Sequence, residues 1–289
     1  MSKHILQQEW ENMIFGRSGR SQWWKKKKAD YDKRGVKVLQ VAGDGQPFHR
    51  LKAERSEDEV FYLVHLTMLL KQEDEMFLEE LIFPFKVKLD GDKIISHEMM
   101  SSPIQENAAV DNIDYSIGPE EYLREGKRSF SYDRRKAVQY AERWWNDYNP
   151  DYHKFDVDCT NYISQCLHAG GAAMWGEPNR SKGWWYNGTN WSYSWSVANA
   201  MRWYLSGAHQ GLTAIEKEHA TDLMPGDVIC YDFEGDGKWN HTTIVVAKDG
   251  NGEPLVNAHT ENSRHRYWKY EDSTAWTPDI QYKFFHIGG

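Results

Sequence analysis

The stretch that decides the fold of the C-terminal half is DVDCTNYISQCLHAGG, Asp156 to Gly171. Its apolar residues recur at helical spacing, and the closing Gly170-Gly171 pair is a typical helix stop. Asp158 stands where an N-cap is expected, so the sequence predicts a helix that begins at Cys159. Amide donors and the positive end of a helix dipole favour a thiolate over a thiol, which makes Cys159 a candidate nucleophile. Its own backbone N–H would point to where an oxyanion forms.

A thiolate nucleophile needs a base from elsewhere in the fold, and His241 is the candidate. It begins the segment HTTIVVAKDGNGEPLVNAHT, in which two apolar runs flank the hairpin signal Asp249-Gly250-Asn251-Gly252. Alternation along the second strand puts Asn257 and His259 on one face. Either of these side chains could orient the imidazole of His241 and stabilise its protonated form.

These segments, in this order, resemble the papain-like cell-wall peptidases and amidases of bacteria. More narrowly, the region from about residue 130 to 289 resembles the putative amidase domain family, found mainly in Gram-positive bacteria. The motifs that carry this resemblance are DCTNYISQCLHAGG, SYSW at Ser192–Trp195, GDVICYD at Gly226–Asp232 and VNAHT at Val256–Thr260. The resemblance implies a papain-like domain with Cys159 as nucleophile, His241 as base and His259 as the third residue. Related enzymes use Asn in that third role, so Asn257 stays a candidate.

The activity implied by the resemblance is that of a cysteine amidase or peptidase without a cofactor. Its expected substrate is an amide bond in peptidoglycan stem peptides, cleaved through a thioester acyl-enzyme. A second oxyanion donor is not identified, with Tyr148, Asn149 and Tyr152 as nearby candidates. A rival hypothesis is a non-catalytic module that uses the same fold to bind a wall glycan or a protein.

Another rival is a zinc site built from Cys230, His241 and His259, although the sequence contains no compact CxxC or HExxH pair. We therefore predict no metal ligands.

Tryptophan is concentrated in the C-terminal half, where eleven of the fourteen lie after residue 143. A cluster of aromatic residues interleaved with Gly and Asn has two equally supported interpretations. It could line a cleft for sugar or peptide, or it could pack its own rings against a following helix. The cluster comprises Trp175, Trp184, Trp185, Tyr186, Trp191, Tyr193 and Trp195.

The N-terminal part has a different pattern. Residues 3–34 are helical in pattern, and their basic run Lys25–Lys28 fits a solvated helix face better than a partner-binding patch. Four strand-like segments follow, at 36–41, 60–70, 76–89 and 93–99, with turn signals at 43–45 and 90–92. We predict an α+β protein with an accessory domain at 1–115, a linker at 116–129 and the papain-like domain at 130–289. The accessory domain is a candidate site for a protein partner.

Composition excludes several classes of protein. The 289 residues carry a formal net charge of −8, which argues against binding of nucleic acid. Three cysteines do not make a disulfide-stapled scaffold. Since no stretch resembles a signal peptide or a membrane helix, we expect no membrane association and a cytoplasmic location for the chain as written. A form from which an export signal had been removed would instead belong to the cell wall or the extracellular space.

Overall fold

The computed structural model describes residues 3–17, 22–52, 57–100 and 131–288. They divide into two compact units. The first contains the described residues up to 100 together with Lys269–Trp276, and the second contains the described residues from 131 to 268 and from 277 onward. Both units combine helices with antiparallel strands, which confirms the α+β class. The predicted linker at 116–129 lies outside the described residues.

The first unit is an antiparallel meander preceded by two helices, where the sequence predicts a single helical region over residues 3–34. Its elements are α1 (Lys3–Ile14), α2 (Gln22–Arg34), β1 (Val36–Lys52), β2 (Glu57–Gln72), β3 (Glu75–Asp90) and β4 (Lys93–Met99). The strands pair in the order β1-β2-β3-β4. Alternate residues of β2 from Val60 to Leu70 are buried and form a core with Trp23, Trp24 and Tyr31 of α2.

The predicted turn at Gly43-Asp44-Gly45 is wrong, because β1 runs straight through these residues. Gly43 pairs with Leu66 of β2, and Gly45 pairs with Val64. A Cβ atom at position 43 would come within 3.1 Å of the Leu66 side chain, so the glycine permits close approach of the neighbouring strand. The pairing of β1 with β2 shifts its register at two places, Val38/Gln40 and Pro47/His49, as it does at β-bulges.

The second unit places its helices before most of its strands. Its helices are α3 (Arg134–Trp144), α4 (Cys159–Ala169), α5 (Tyr193–Ser196) and α6 (Ala198–Gly207). Its strands are β5 (Ala214–Lys217), β6 (Val228–Asp232), β7 (His241–Lys248), β8 (Pro254–Ala258), β9 (Ser263–Tyr267) and β10 (Gln281–Ile287). They are antiparallel in the order β9-β8-β7-β6-β10-β5. The predicted hairpin joining β7 to β8 is confirmed.

Helix α4 begins and ends where the sequence predicts. Its C-cap is Gly170, where an added Cβ atom would lie 2.4 Å from the Tyr132 ring. The apolar face of α4 packs on the sheet in a core that contains Ile163, Ile244 and Val246. This packing holds the first turn of α4 against the start of β7.

No helix within the described ranges is long and apolar enough to span a membrane.

Candidate active site

Asp158 occupies the N-cap position of α4, but its side chain makes no capping hydrogen bond. Its Oδ1 instead accepts from the backbone N–H of Phe155 at 3.0 Å and from Asn161 Nδ2 at 2.9 Å. Its Oδ2 lies 2.8 Å from His259 Nδ1, and both side chains are almost completely buried. The carboxylate therefore joins the start of α4 to the residue that follows β8.

The imidazole of His259 is held at both nitrogens. Its Nε2 lies 2.7 Å from the carbonyl oxygen of Trp144, and its ring stacks on Tyr162 at a centroid distance of 4.0 Å. Because a carbonyl oxygen can only accept, Nε2 carries a proton in this arrangement. The ring therefore contacts both the end of α3 and the first turn of α4, and these contacts stabilise the packing of the two helices.

The thiol of Cys159 is 1% exposed and lies at the start of α4, as predicted. Its sulfur is 3.7 Å from Thr160 Oγ1, which in turn lies 3.1 Å from Thr242 Oγ1 on β7. Burial raises the pKa of the Cys159 thiol above its ordinary value, while hydrogen bonds from Thr160 and Thr242 act in the opposite direction. The sulfur is thus sequestered from solvent but faces hydroxyl groups.

His241 is the first residue of β7 and precedes Thr242. It pairs across the sheet with Tyr231, and its ring centroid lies 5.5 Å from that of Tyr231 and 5.9 Å from that of Phe233. Burial and the nearby charge of Arg266 lower the pKa of His241 to about 3. The imidazole is therefore neutral at physiological pH. Its side chain is directed toward Tyr231 rather than into the core between α4 and the sheet.

Asn257, like His259, is held by hydrogen bonds to residues of other elements. The Nδ2 of Asn257 donates to Glu142 Oε1 at 3.1 Å, and its Oδ1 accepts from the backbone N–H of His265 at 2.9 Å. Glu142 also accepts from Arg264 at 2.6 Å and lies 2.9 Å from His265 Nε2. Burial opposes ionisation of Glu142, but these two partners outweigh it and lower the pKa of the carboxyl.

The aromatic cluster is mainly packing. Trp184, Trp185 and Trp195 are at most 1% exposed. The half-buried Trp191 ring stacks on His153 at 5.0 Å and on Tyr186 at 6.0 Å. With flat partners already stacked on these rings, the arrangement favours the self-packing interpretation over an open cleft.

The candidates for the second oxyanion donor each contact neighbouring side chains. The Tyr148 ring lies 5.0 Å from the His259 ring and 3.8 Å from Lys154 Nζ. Asn149 Nδ2 donates to the hydroxyl of Tyr140, and the hydroxyl of Tyr152 lies 2.8 Å from His168 Nδ1.

For the zinc hypothesis, the described part of the chain contains no group of three or more His, Cys, Asp or Glu side chains arranged to hold a metal ion. Cys230 lies in the apolar core beside Ile244.

Sequence reasoning missed three contacts around Cys159. It identified Asp158 as an N-cap only, and it gave no role to Thr160 or Thr242. Thr160 stands in the motif Asp158-Cys159-Thr160-Asn161 and Thr242 directly follows His241, so both positions were visible in the sequence. Their proximity depends on packing between segments about eighty residues apart, which no local pattern contains.

Comparison with known proteins agrees with this organisation. The model of the putative amidase domain family matches residues 131–285, which include α3, α4 and all of β5–β9. The chain belongs to the putative amidase domain family. The family match therefore contains Cys159, His241 and His259, and it assigns the second unit to an amidase-type domain.

Relatives of this amidase-domain protein occur in Bacillus subtilis (strain 168). The chain is 49% identical over 264 residues to the uncharacterized protein YhbB, a match that covers 91% of this chain and 85% of that protein. It is 30% identical over 139 residues to the uncharacterized protein YjcM, which covers 45% of this chain and 31% of that protein. No solved structure matches the chain at a significant level.

Proposed function

We propose that the second unit is a papain-like cysteine hydrolase that cleaves amide bonds with Cys159 as nucleophile. The observation that carries this proposal is the position of the thiol at the first residue of α4, inside a domain of the amidase family. A helix start offers free amide donors and a positive potential, and both favour the thiolate and an adjacent oxyanion.

The proposed reaction has two stages. The base takes the proton of the Cys159 thiol as the sulfur attacks the carbonyl carbon of the amide, and it then gives this proton to the leaving nitrogen as the C–N bond breaks. Water then attacks the resulting thioester, with its proton taken up by the base. The products are a carboxylic acid and an amine, and the thiol is restored.

We assign the base to His241 and a positioning role to His259. The assignment of His241 rests on its position in the motifs shared with the cell-wall amidases, because burial and Arg266 lower its pKa to about 3 and make the imidazole a weak base in its present position. His259 instead uses both nitrogens to hold Asp158 and Trp144. Proton transfer requires the His241 ring to leave Tyr231 and Phe233 and turn toward the sulfur, so this assignment predicts that the ring reorients when substrate enters.

The proposed substrate is a peptide amide of peptidoglycan stem peptides, the class implied by the resemblance to cell-wall amidases. A non-catalytic binding module remains the second candidate, because Cys159 is buried and its thiol pKa is raised. The two candidates differ in whether modification of this one sulfur abolishes amide cleavage.

The test incubates the protein with peptidoglycan fragments and follows amine release by mass spectrometry, for the wild type, Cys159→Ser, His241→Ala and His259→Ala. We expect Cys159→Ser and His241→Ala each to lower kcat by about a thousandfold or more, because nucleophile and base act as a unit. Cys166→Ser serves as the matched control, since Cys166 lies on the same helix in the apolar core.

A rate in Cys159→Ser equal to that of the wild type would contradict the proposal. Absence of cleavage combined with tight binding of the fragments would favour the binding module. If His259→Ala loses as much activity as the nucleophile variant while His241→Ala retains it, His259 is the base and our assignment is wrong.

A further inference from the structure

The side chains of Thr160 and Thr242 form a chain of hydroxyl groups that ends at the Cys159 sulfur. Thr160 Oγ1 lies 3.7 Å from the sulfur and 3.1 Å from Thr242 Oγ1. Both threonines are completely buried, and the cysteine is 1% exposed. In this buried site the two hydroxyl groups provide the polar surroundings that water provides to an exposed thiol.

The direction of hydrogen bonding in this chain depends on the charge of the sulfur. A hydroxyl has one proton to donate, and a thiolate can only accept. When Cys159 ionises, Thr160 donates to the sulfur, and Thr242 donates to the oxygen of Thr160. The two links therefore align in one direction, and each strengthens the other in a buried environment.

We propose that Thr160 and Thr242 are positioning residues that stabilise the Cys159 thiolate through this two-link hydroxyl chain. The inference rests on the proposed function, since it concerns the same sulfur, but ionisation of that sulfur is measurable without any substrate. Side-chain and backbone hydrogen bonds of both threonines lower the pKa of the Cys159 thiol, against the larger effect of burial, so Thr242 acts on the sulfur directly as well as through Thr160. The chain thereby limits how far burial suppresses the nucleophile.

Other ionisable groups face this region and set the background for the measurement. Asp158 and His259 lie at the first turn of α4, and His241 precedes Thr242 on β7. Cys230 on β6 interacts electrostatically with Cys159 and with Arg202. Variants that remove one hydroxyl leave all these groups in place, so a change in Cys159 ionisation reports the hydroxyl itself.

The experiment measures alkylation of Cys159 by iodoacetamide between pH 6 and 11, read by peptide mass spectrometry in the full chain. The variants are Thr160→Val and Thr242→Val, which remove a hydroxyl with little change in shape. Thr160→Ser and Thr242→Ser keep it and act as matched controls. We expect each Val variant to shift the midpoint upward and to reduce alkylation below the midpoint by about tenfold or more, and each Ser variant to stay near the wild type.

The midpoint of the alkylation curve distinguishes a change in ionisation of the Cys159 sulfur from a change in its accessibility to iodoacetamide. A loosened site changes the alkylation rate by the same factor at every pH, whereas loss of a donor moves the midpoint itself. If a Val variant is too unstable to measure, the Ser and Val forms of the other threonine decide the result. Wild-type midpoints in both Val variants, or a wild-type sulfur that does not ionise up to pH 11, would overturn the proposal.

The two experiments distinguish a failure of the proposed function from a failure of this inference. Midpoint shifts in a protein that cleaves no amide support the hydroxyl chain and count against the hydrolase. Cleavage that depends on Cys159, with midpoints unchanged in the Val variants, supports the hydrolase and rejects the hydroxyl chain.

Discussion

The lowered pKa of His241 makes the free energy of unfolding depend on pH. Because burial and Arg266 lower its pKa from 6.5 to about 3, the folded protein binds fewer protons than the unfolded chain between these pH values. The contribution of this imidazole to stability then falls as the pH is lowered from 6.5 toward 3, since its protonation favours the unfolded state. The contribution of one such group is about 1.4 kcal/mol per pH unit.

We predict that His241→Gln reduces the acid sensitivity of the second unit by this slope. The measurement is urea unfolding of the wild type and the variant at pH values from 7.5 to 4.5. Above pH 7 the ring is neutral in both states, so the two stability curves should run parallel there. Curves that stay parallel below pH 6 would show that His241 is protonated in the folded protein.

Asp158 shows where residue-level reasoning succeeds and where it stops. Local spacing correctly predicted that a helix begins at Cys159, because N-cap preference, apolar periodicity and a glycine stop all lie within sixteen residues. The same preference suggested that the carboxylate caps the helix. It turns instead to His259, 101 residues away, and this choice depends on tertiary contacts that the local pattern does not contain.

At the scale of elements, α4 is fixed by polar contacts on one side and apolar packing on the other. Asn161 donates to the carbonyl oxygen of His153 at 2.8 Å and accepts from Trp195 Nε1 at 2.8 Å. Ser164 on the next turn donates to the carbonyl oxygen of Trp195 at 2.8 Å. Helix α5, although only four residues long, therefore stabilises the first two turns of α4 through hydrogen bonds.

We predict that Trp195→Phe destabilises the second unit by about 1–3 kcal/mol, because it leaves the buried Oδ1 of Asn161 without its donor. The free energy of unfolding from urea titrations followed by circular dichroism gives the value. Trp203→Phe on α6 is the control, since Trp203 is 41% exposed, and it should cost less than about 1 kcal/mol. Equal effects at the two positions would mean that the hydrogen bond to Asn161 contributes little.

The elements also differ in how well sequence predicts them. Strands β2 to β4 and the hairpin of β7 and β8 were predictable, because alternation and turn residues agree. The length of β1 was not, because Gly43-Asp44-Gly45 is a strong turn signal that strand pairing overrides. Pairing with the long apolar β2 supplies hydrogen bonds that an isolated segment would lack.

At the scale of the whole molecule, the chain order and the spatial units do not coincide. Lys269–Trp276 lies between β9 and β10 in sequence, yet it groups with the first unit. There Asp272 forms an ion pair with Lys27 at 3.1 Å, and Lys27 is also paired with Glu79. The hydroxyl of Tyr31 donates to Glu79 at 2.6 Å. No local pattern predicts this grouping, because it joins residues more than two hundred positions apart.

We predict that Lys27→Met destabilises the first unit by about 3–5 kcal/mol, because it leaves two buried carboxylates without their cation. Lys33→Met is the matched control: Lys33 lies on the same helix and pairs with Glu271 of the same segment, but its side chain is 66% exposed. An exposed pair contributes about 0–1 kcal/mol, so this variant should unfold near the wild-type urea concentration. The double variant Lys27→Met with Glu79→Gln should recover part of the loss, since it removes one of the two unpaired charges. If Lys27→Met costs no more than Lys33→Met, the buried ion pair does not hold Lys269–Trp276 in the first unit.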